Sequence, residues 1–517
     1  MSTEFFIASQ LGALLTPVLA VVCSQIAFSE KWQSKLLIVG HITAFVFAII
    51  ALVSVFCQSV STQVVLGDRW LELQLDPASS CVIAAITLIS AVVIAFSERY
   101  LGGDKTRQSF LCILSLLSST AAVLAVSDSL PLSIICWHLL SLGLWRIMCL
   151  QPDSREAASV VLRHHLLSDA LLLAALVIVM SCSECVTFSE LPQQLGSFNG
   201  QLHLLGLKLP LTIGNLICLL LILSFSIKSA LFPFHRWLLA TLDAPTPLSG
   251  LLHAGIVNVS AVVAYRMMPV LNESPVVLLL WGGLAAISVV IGTLSMSAQP
   301  DVKRKLVYST VGQMGFMSLQ CAAGALGFAL FHLLAHGLFK CHMFLQSGSA
   351  VAEGLAKRRF AYTVEAKEGK GKKLRNLVFI LATALGFCCA LLIACPNSGW
   401  TAISAIIAAT AILCAVPAVN RVSLNSLALF WFSVLGLASA SALGSVQLEK
   451  LLQTEHAITG WLLPLCLASF AVIAMTLSIA RKSRLASALY VHSLNGFYTE
   501  EITSAFSNWL RVRRNSH

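Results

Sequence analysis

Charged side chains are scarce in this sequence. Aspartate, glutamate, lysine and arginine make up 11% of its 517 residues, whereas soluble domains carry about 25%. This scarcity excludes an ordinary water-soluble enzyme. The apolar runs also lack the alternation of outer-membrane strands, and they last roughly 20 residues, the length of a helix that crosses the hydrocarbon core. The sequence therefore predicts an all-α polytopic membrane protein.

Two other features are missing from the sequence. No basic region precedes the first long apolar run, so we expect no cleavable signal peptide. Most of the 16 cysteines lie inside apolar runs, where a thiol behaves as a small hydrophobe. The C-x-x-C pair of Cys182 and Cys185 has only His203 as a further nearby ligand. We therefore predict no metal site, no cofactor and no catalytic residue in this chain.

The apolar runs predict about 15 membrane-spanning helices. They lie near residues 5–26, 36–57, 78–97, 109–126, 131–150, 163–181, 212–234, 246–268, 275–297, 303–322, 324–346, 376–395, 400–418, 423–442 and 457–479. Basic loops alternate with acidic or neutral ones, and the most basic loop covers 347–375. Because basic loops stay in the cytoplasm, we predict a periplasmic N-terminus and a cytoplasmic C-terminus.

The chain changes character after the last apolar run. Between Asn495 and Arg514, apolar side chains recur at helical spacing and charges occupy the other face. This pattern predicts an amphipathic helix within a cytoplasmic tail at 481–517, lying on the membrane surface or docked on a partner. The apolar residues are Tyr498, Ile502, Phe506 and Trp509.

Ionisable residues are concentrated in the middle of the chain. Each costs about 2.5–3.5 kcal/mol near the bilayer centre on insertion scales, so each is a functional hypothesis. Lys228 lies in the seventh run, and Pro233 follows it and removes a helical hydrogen bond. Broken helices occur where a cavity or a neighbour satisfies the freed carbonyls. Since burial disfavours an ammonium ion, this lysine can release its proton; the alternative is a structural lysine that reaches the interface.

The eighth run contains a histidine. Pro245 and Pro247 suit the start of a helix, and His253 lies about two turns into it. A histidine can relay a proton through either ring nitrogen. A lone buried histidine is nevertheless more often structural, so His253 by itself does not decide between the two roles.

The eleventh run holds three titratable residues. His332, His336 and Lys340 are spaced four residues apart, so they share one stripe of a helix about 12 Å long. Three such groups on one stripe predict a path for protons. Their number argues against a purely structural membrane anchor, which has no use for three costly side chains.

Together these stretches resemble the antiporter-like subunits of respiratory complex I and the related cation/proton antiporters. The resemblance implies two inverted five-helix repeats with broken helices. The matching residues are Lys228, Phe232, Pro233, His235, Trp237, Pro245, Thr246, Pro247, His253, Asp301, Lys303, Arg304, Tyr308, Ser309, Thr310, His332, His336 and Lys340. The implied divisions are helices 1–3 at 1–108, a first repeat at 109–268, a second at 269–418 that includes the 347–375 loop, two further helices at 419–480, and the tail at 481–517.

Two departures from that family concern its charges. Relatives in complex I usually carry a glutamate after the tryptophan of the fifth helix, where this sequence has Trp137 and His138. Asp169 matches another family carboxylate, and the resemblance implies that it is the remaining counter-charge of Lys228. The twelfth run, 377–396, has no charge, although the family usually places a lysine or glutamate there.

These departures, the chain length and the segment from His492 to Tyr498 resemble the DabB-type subunits of energy-coupled inorganic carbon accumulators. The resemblance implies a large partner on the cytoplasmic face, DabA, which is similar to a zinc-dependent β-carbonic anhydrase and hydrates CO2. This chain would be the cation-conducting subunit in the cell inner membrane, with no enzymatic activity, no nucleic-acid partner and the zinc held by DabA. The implied path for protons, or less readily Na⁺, contains His138, Asp169, Lys228, His253, His332, His336 and Lys340.

Two alternatives remain open from the sequence. One is a proton-pumping subunit of a respiratory or hydrogenase-type complex, with quinone chemistry in other subunits. The other is a subunit of a Na⁺/H⁺ antiporter. Both share the buried lysines and histidines, so these residues do not discriminate between them and the carbon accumulator.

Overall fold

The computed structural model describes residues 3–348 and 484–498, apart from positions 28, 59–61, 66–68, 184 and 205–206. The predicted spans at 376–395, 400–418, 423–442 and 457–479 lie outside the described residues, as does most of the predicted tail. The other eleven predicted spans lie within the described residues.

Each of these eleven apolar runs is helical. The helices are α1 (Thr3–Ile26), α2 (Glu30–Gln58), α3 (Pro77–Tyr100), α4 (Arg107–Val126), α5 (Leu130–Met148), α6 (Arg155–Ser183), α7 (Ile213–Lys228), α8 (Arg236–Leu239), α9 (Thr246–Ala254), α10 (Val259–Asn272), α11 (Pro275–Ala298), α12 (Val302–Ala322) and α13 (Leu326–Gln346). Short 3₁₀ helices cover Arg69–Leu71, Pro152–Ser154, Leu191–Phe198, Ala240–Asp243, Ile256–Asn258 and Gly496–Tyr498.

Nine helical segments in the described part are long and apolar enough to cross a membrane. The two predicted spans that do not qualify are α7, which has 16 residues, and α12, which carries Lys303, Arg304 and Lys305 in its first turn. Both are enclosed by other helices, since α7 packs against α6, α10 and α11, and α12 packs against α11 and α13. The prediction of a helical membrane protein is thus confirmed.

Two antiparallel hairpins connect helices on the side predicted to be periplasmic. β1 (Thr62–Val65) pairs with β2 (Glu72–Leu75) between α2 and α3. β3 (Gln201–Leu204) pairs with β4 (Leu207–Thr212) between α6 and α7.

Local capping chemistry sets several helix starts. Asp76 accepts a hydrogen bond from the Ser79 amide, and Ser79 returns one to the Asp76 amide, which forms a capping box in front of α3. Asp301 caps α12 by accepting from the Arg304 amide at 2.7 Å. With these caps, α3 and α12 each begin within one residue of the predicted apolar run.

The first broken helix ends earlier than its proline indicated. α7 stops at Lys228 itself, and Pro233 lies in the non-helical segment that follows. The amides of Ala230 and Leu231 donate back to the carbonyls of Ile227 and Ser226. Ala230 adopts φ 54°, so the helix closes with the left-handed residue of a Schellman motif rather than by the loss of a proline amide.

The second broken helix was predicted as one continuous span. The structure instead ends α9 at Ala254, inserts the 3₁₀ turn Ile256–Asn258 and resumes with α10. The chain has no proline at this point, so the usual signal for a break is missing. Gly255 is the local feature that coincides with the break.

The two interruptions lie side by side and satisfy each other's backbone. Ser229 Oγ donates to Val257 O at 3.1 Å, and Ser260 Oγ donates to Phe225 O at 3.3 Å. Trp237 Nε1 donates to Ile227 O at 2.8 Å. Because carbonyls freed inside a membrane need such partners, these bonds stabilise both breaks.

A last described helix, Arg484–Leu494, precedes the predicted amphipathic segment. It is followed by the turn at Gly496–Tyr498, where Gly496 has φ 58°. Gln299 Nε2 donates to Leu494 O at 2.9 Å and so anchors this helix near the end of α11. Of the predicted amphipathic segment at 495–514, only residues 495–498 are described; they contain the 3₁₀ turn Gly496–Tyr498.

Candidate functional site

Lys228 occupies the last position of α7 and is fully buried. Its Nζ donates to Ser141 Oγ at 2.6 Å, to Asp169 Oδ1 at 3.2 Å and to Trp137 O at 3.2 Å. An ammonium has three donors, so these acceptors satisfy all of them. The Trp137 ring lies 4.9 Å from Nζ and adds a cation–π contact.

Asp169, on α6, joins Lys228 to the fifth helix. Its Oδ1 accepts from Ser141 Oγ at 2.9 Å, and its Oδ2 lies 2.8 Å from His138 Nδ1. One buried carboxylate therefore lies between a lysine and a histidine. The structure places Asp169 where the resemblance implied a counter-charge.

His138 is the accessible member of this group. Its side chain is 43% exposed in the bundle, and its neighbours Ile135 and Leu139 on α5 are exposed hydrophobic residues. This face of α5 is therefore turned away from the described helices. Hereafter the Lys228 cluster denotes His138, Ser141, Asp169 and Lys228.

A second group of titratable residues lies between α9, α12 and α13. His253, His336 and Lys340 are buried, and Lys340 Nζ donates to Leu306 O at 2.9 Å. The His253 ring stacks on Phe344 with centroids 4.3 Å apart. Within the described residues, neither ring nitrogen of His253 or of His336 has a hydrogen-bond partner, and no carboxylate lies within 4.0 Å of Lys340.

His332 continues this second group along α13. Its Nε2 lies 2.9 Å from Gln313 Oε1 and its Nδ1 lies 3.1 Å from Gln320 Oε1. An imidazolium can donate to both oxygens, whereas a neutral ring requires one amide to turn over. The rings of His332 and His336 lie 5.8 Å apart. The Lys340 cluster denotes His253, His332, His336 and Lys340.

The structure therefore divides the predicted path into two clusters. No hydrogen bond joins a member of one cluster to a member of the other among the residues described. The proline positions lie beside the helix ends: Pro233 in the segment after α7, Pro245 just before α9 and Pro247 in its first turn. The helix break at Gly255 places the Lys340 cluster next to the interrupted end of α7.

Small cavities lie between this break and the predicted periplasmic side. Two adjoining spaces between α3, α4, α10 and α13 share Val82 and Leu333. The outer space is lined by Arg266, and the inner one by Gly255 and Asn258. Asn258 is buried and its Oδ1 has no partner in the described chain. A buried polar side chain therefore lines the inner space beside the break.

Arg266 marks the outer end of these cavities. It donates to Ala125 O at 3.0 Å, and its guanidinium lies 3.9 Å from Asp76 and 3.8 Å from Asp128. The cation is therefore balanced by two carboxylates. This ionic group ties the β1–β2 hairpin region to α4 and α10.

Several polar residues in or near the clusters were not predicted, among them Gln320 and His165. Gln320 was missed because its partner His332 belongs to another helix. His165 was missed although its spacing was informative: it precedes Asp169 by four residues, which places both on one face of α6.

Comparisons with known proteins agree with this architecture. A family model described as NADH:quinone oxidoreductase/Mrp antiporter, transmembrane, matches residues 127–427. A probable inorganic carbon transporter subunit DabB1 of Halothiobacillus neapolitanus is 34% identical over 56% of this chain and 51% of its own length. The probable subunit DabB of Bacillus anthracis is 31% identical over 70% of this chain and 68% of its own.

A solved structure extends the comparison of folds. The membrane-bound sulfane sulfur reductase, an archaeal respiratory membrane complex, contains a chain that matches with a TM-score of 0.58 at 16% identity, over 96% of this chain and 98% of that one. The chain matches about half the length of the first curated relative, and the relatives are named as transporter subunits. The chain belongs to the NADH:quinone oxidoreductase/Mrp antiporter family of membrane proteins and, within it, to the DabB-type subunits.

Proposed function

We propose that this chain is the proton-conducting membrane subunit of an energy-coupled inorganic carbon uptake complex. The observation that carries the proposal is the Lys228 cluster, in which a fully buried lysine at a helix break bonds to Asp169. Ionisable groups at this depth are costly and mark ion pathways. The relatives that are named inorganic carbon transporter subunits indicate the cargo of the complex.

The proposed route runs inward through both clusters. Protons arrive through the cavities below Arg266, reach the Lys340 cluster at the α9–α10 break and pass to the Lys228 cluster across the paired helix breaks. The buried ring nitrogens of His253 and His336 lack partners within the described part, and in this scheme they bind and release the protons. Water or side-chain motion carries protons across the gap between the clusters in this scheme.

The energy of the gradient is sufficient to bias hydration of CO2. Each charge that crosses 100 mV releases about 2.3 kcal/mol, and 1.4 kcal/mol is about tenfold in an equilibrium constant. One proton that crosses the membrane can therefore shift the equilibrium of CO2 hydration by about 50-fold. In the proposed complex a DabA-type zinc protein on the cytoplasmic face hydrates CO2, and a conformational change in this chain transmits the energy.

The proposal includes the finer architecture implied by the family. It has about 15 membrane helices, two inverted five-helix repeats at 109–268 and 269–418, three helices before them and two after, with the N-terminus in the periplasm and the loop at 347–375 and the tail at 481–517 in the cytoplasm. Basic residues dominate the loops assigned to the cytoplasm, which supports this orientation.

Proton flux in proteoliposomes tests the proposal. The full-length chain is reconstituted, a potassium diffusion potential is imposed, and internal pH is followed with a fluorescent dye. Lys228→Ala and Lys340→Ala should each abolish flux, because each removes the cationic group of one cluster. Lys35→Ala serves as the matched control, since Lys35 is exposed on α2. Wild-type flux in both buried-lysine variants would refute the assignment.

Inorganic-carbon uptake in cells tests the cargo. Uptake should be lost in the same two variants and on addition of an uncoupler, while pull-down of the tagged chain recovers a large zinc protein. Quinone-reducing subunits in the pull-down would instead favour a respiratory complex, the alternative that the fold of the archaeal reductase supports. Sodium sensitivity without loss of carbon uptake would favour an antiporter.

A further inference from the structure

His165 is a buried titratable residue that the route above does not use. It lies on α6, is fully buried, and neither ring nitrogen has a hydrogen-bond partner within the described residues. Leaving a buried polar group unsatisfied costs about 1–3 kcal/mol. Such a group therefore needs a reason for its position.

The packing around His165 does not satisfy its nitrogens. Its ring meets the Trp237 ring edge-on, with centroids 4.4 Å apart. The Trp237 N–H is already bonded to Ile227 O. A contact that needed only an aromatic ring would be made equally well by phenylalanine, so the imidazole nitrogens have no packing role.

The charges around His165 belong to the Lys228 cluster and to the end of α6. His164 is its neighbour in the sequence, and Trp237, which packs against its ring, donates to the carbonyl of Ile227, the residue before Lys228. Asp169 is one turn further along the same helix, about 6 Å away along the axis. His165 therefore lies between the buried ion pair and the first turns of α6.

The beginning of α6 leads to the surface. His164 is half-buried and its Nδ1 lies 2.8 Å from Val160 O. Arg163 precedes His164 and is exposed, and α8, which carries Arg236, packs against α6. This basic end of the helix is the one that the distribution of positive charge assigns to the cytoplasm.

We propose that His165 is the relay that passes protons between the Lys228 cluster and the cytoplasmic surface; this inference rests on the proposed proton conduction. The Lys228 ammonium breaks one of its three present hydrogen bonds and gives that proton to one ring nitrogen of His165, and the other ring nitrogen releases its proton toward His164. Lys228 is left as an amine until a proton from the Lys340 cluster restores it. Within the described residues no hydrogen bond fixes the ring in one tautomer, and either ring nitrogen of a histidine can carry the proton.

Charge-displacement measurements separate a relay from a structural role. Proteoliposomes carrying the full-length chain are adsorbed on a solid-supported membrane, and a proton gradient is applied. His165→Phe keeps an aromatic ring against Trp237, and His165→Gln keeps a polar group, but neither passes a proton. Both should lower the steady current by about 100-fold, while the initial transient, which reports proton movement as far as Lys228, persists.

His41→Phe is the matched control. His41 is equally buried but lies on α2, where its Nδ1 pairs with Ser90 Oγ at 3.1 Å, and this variant should conduct like the wild type. A wild-type steady current in either His165 variant would overturn the inference, and so would equal loss of the transient and the steady current. Absence of any proton current in the wild type would instead overturn the proposed function.

Discussion

The two buried lysines of this bundle have opposite environments. Lys228 has a carboxylate, a hydroxyl and a carbonyl as acceptors, whereas Lys340 donates to one backbone carbonyl and lies near histidines. A buried charge is tolerated when an opposite charge and hydrogen bonds compensate its lost hydration. The charge of Lys228 is therefore compensated more fully than the charge of Lys340 among the described residues.

The largest effect should follow from removing the carboxylate of the first cluster. Asp169→Asn leaves the Lys228 ammonium buried without a counter-ion, which should lower the free energy of unfolding by about 3–5 kcal/mol. Lys340→Met removes an ammonium that has no acidic partner among the described residues, so it should be neutral or stabilising. Unfolding titrations with denaturing detergent in mixed micelles measure both.

The double variant Asp169→Asn with Lys228→Met controls for this comparison. It removes both charges, so most of the lost stability should return although proton flux does not. Equal destabilisation by Asp169→Asn and Lys340→Met would contradict the difference in charge compensation between the two lysines.

A smaller effect is expected from the hydroxyl that bridges the ion pair. Ser141 Oγ bonds to both Lys228 and Asp169, and hydrogen bonds to charged groups contribute about 1.5–3 kcal/mol. Ser141→Ala should therefore destabilise the protein by about 2 kcal/mol. On the same helix, Ser133 bonds to the neutral Ser127 hydroxyl at 3.0 Å, so Ser133→Ala should cost about half as much in the same titration.

The position of the acid can be moved to sharpen the comparison further. His138→Glu places a second carboxylate beside Asp169, and like charges at this distance disfavour joint ionisation. Proton flux should fall by about tenfold, equivalent to about 1.4 kcal/mol. Adding Asp169→Asn leaves one acid again and should recover most of the flux. A double variant that conducts less than His138→Glu alone would show that conduction requires the carboxylate at position 169 on α6.

The smallest effect concerns the ionic group of Arg266, Asp76 and Asp128, which lies apart from both clusters. Burial raises the pKa of the Asp128 carboxyl, while hydrogen bonding to Ser189 and the nearby Arg266 offset part of that rise. The folded state thus favours the protonated form. This contribution to stability is complete below the ordinary pKa and is lost as the pH rises through the raised value.

Asp128→Asn should remove that pH dependence. The melting temperature of the wild type relative to the variant should decrease as the pH is raised from acid toward neutral, with proton flux nearly unchanged. An increase over the same range would mean that attraction to Arg266 outweighs burial in setting the pKa of the Asp128 carboxyl.

Much of the helical framework could be predicted from the sequence. The apolar runs placed eleven described helical spans, because twenty apolar residues in a row can satisfy their backbone in lipid only as a helix. The stripe of His332, His336 and Lys340 also followed from spacing alone. The motif around Lys228 and Pro233 identified the family, which the comparisons confirmed.

The tertiary structure decided which of these groups meet. His138, Ser141 and Lys228 are separated from Asp169 by 31, 28 and 59 residues, so their contacts depend on how α5, α6 and α7 pack. The break at Gly255 and the pairing of His332 with Gln320 likewise appear only in three dimensions. Spacing along a helix tells which side chains share a face, but the neighbour opposite that face is selected by packing between segments distant in the chain.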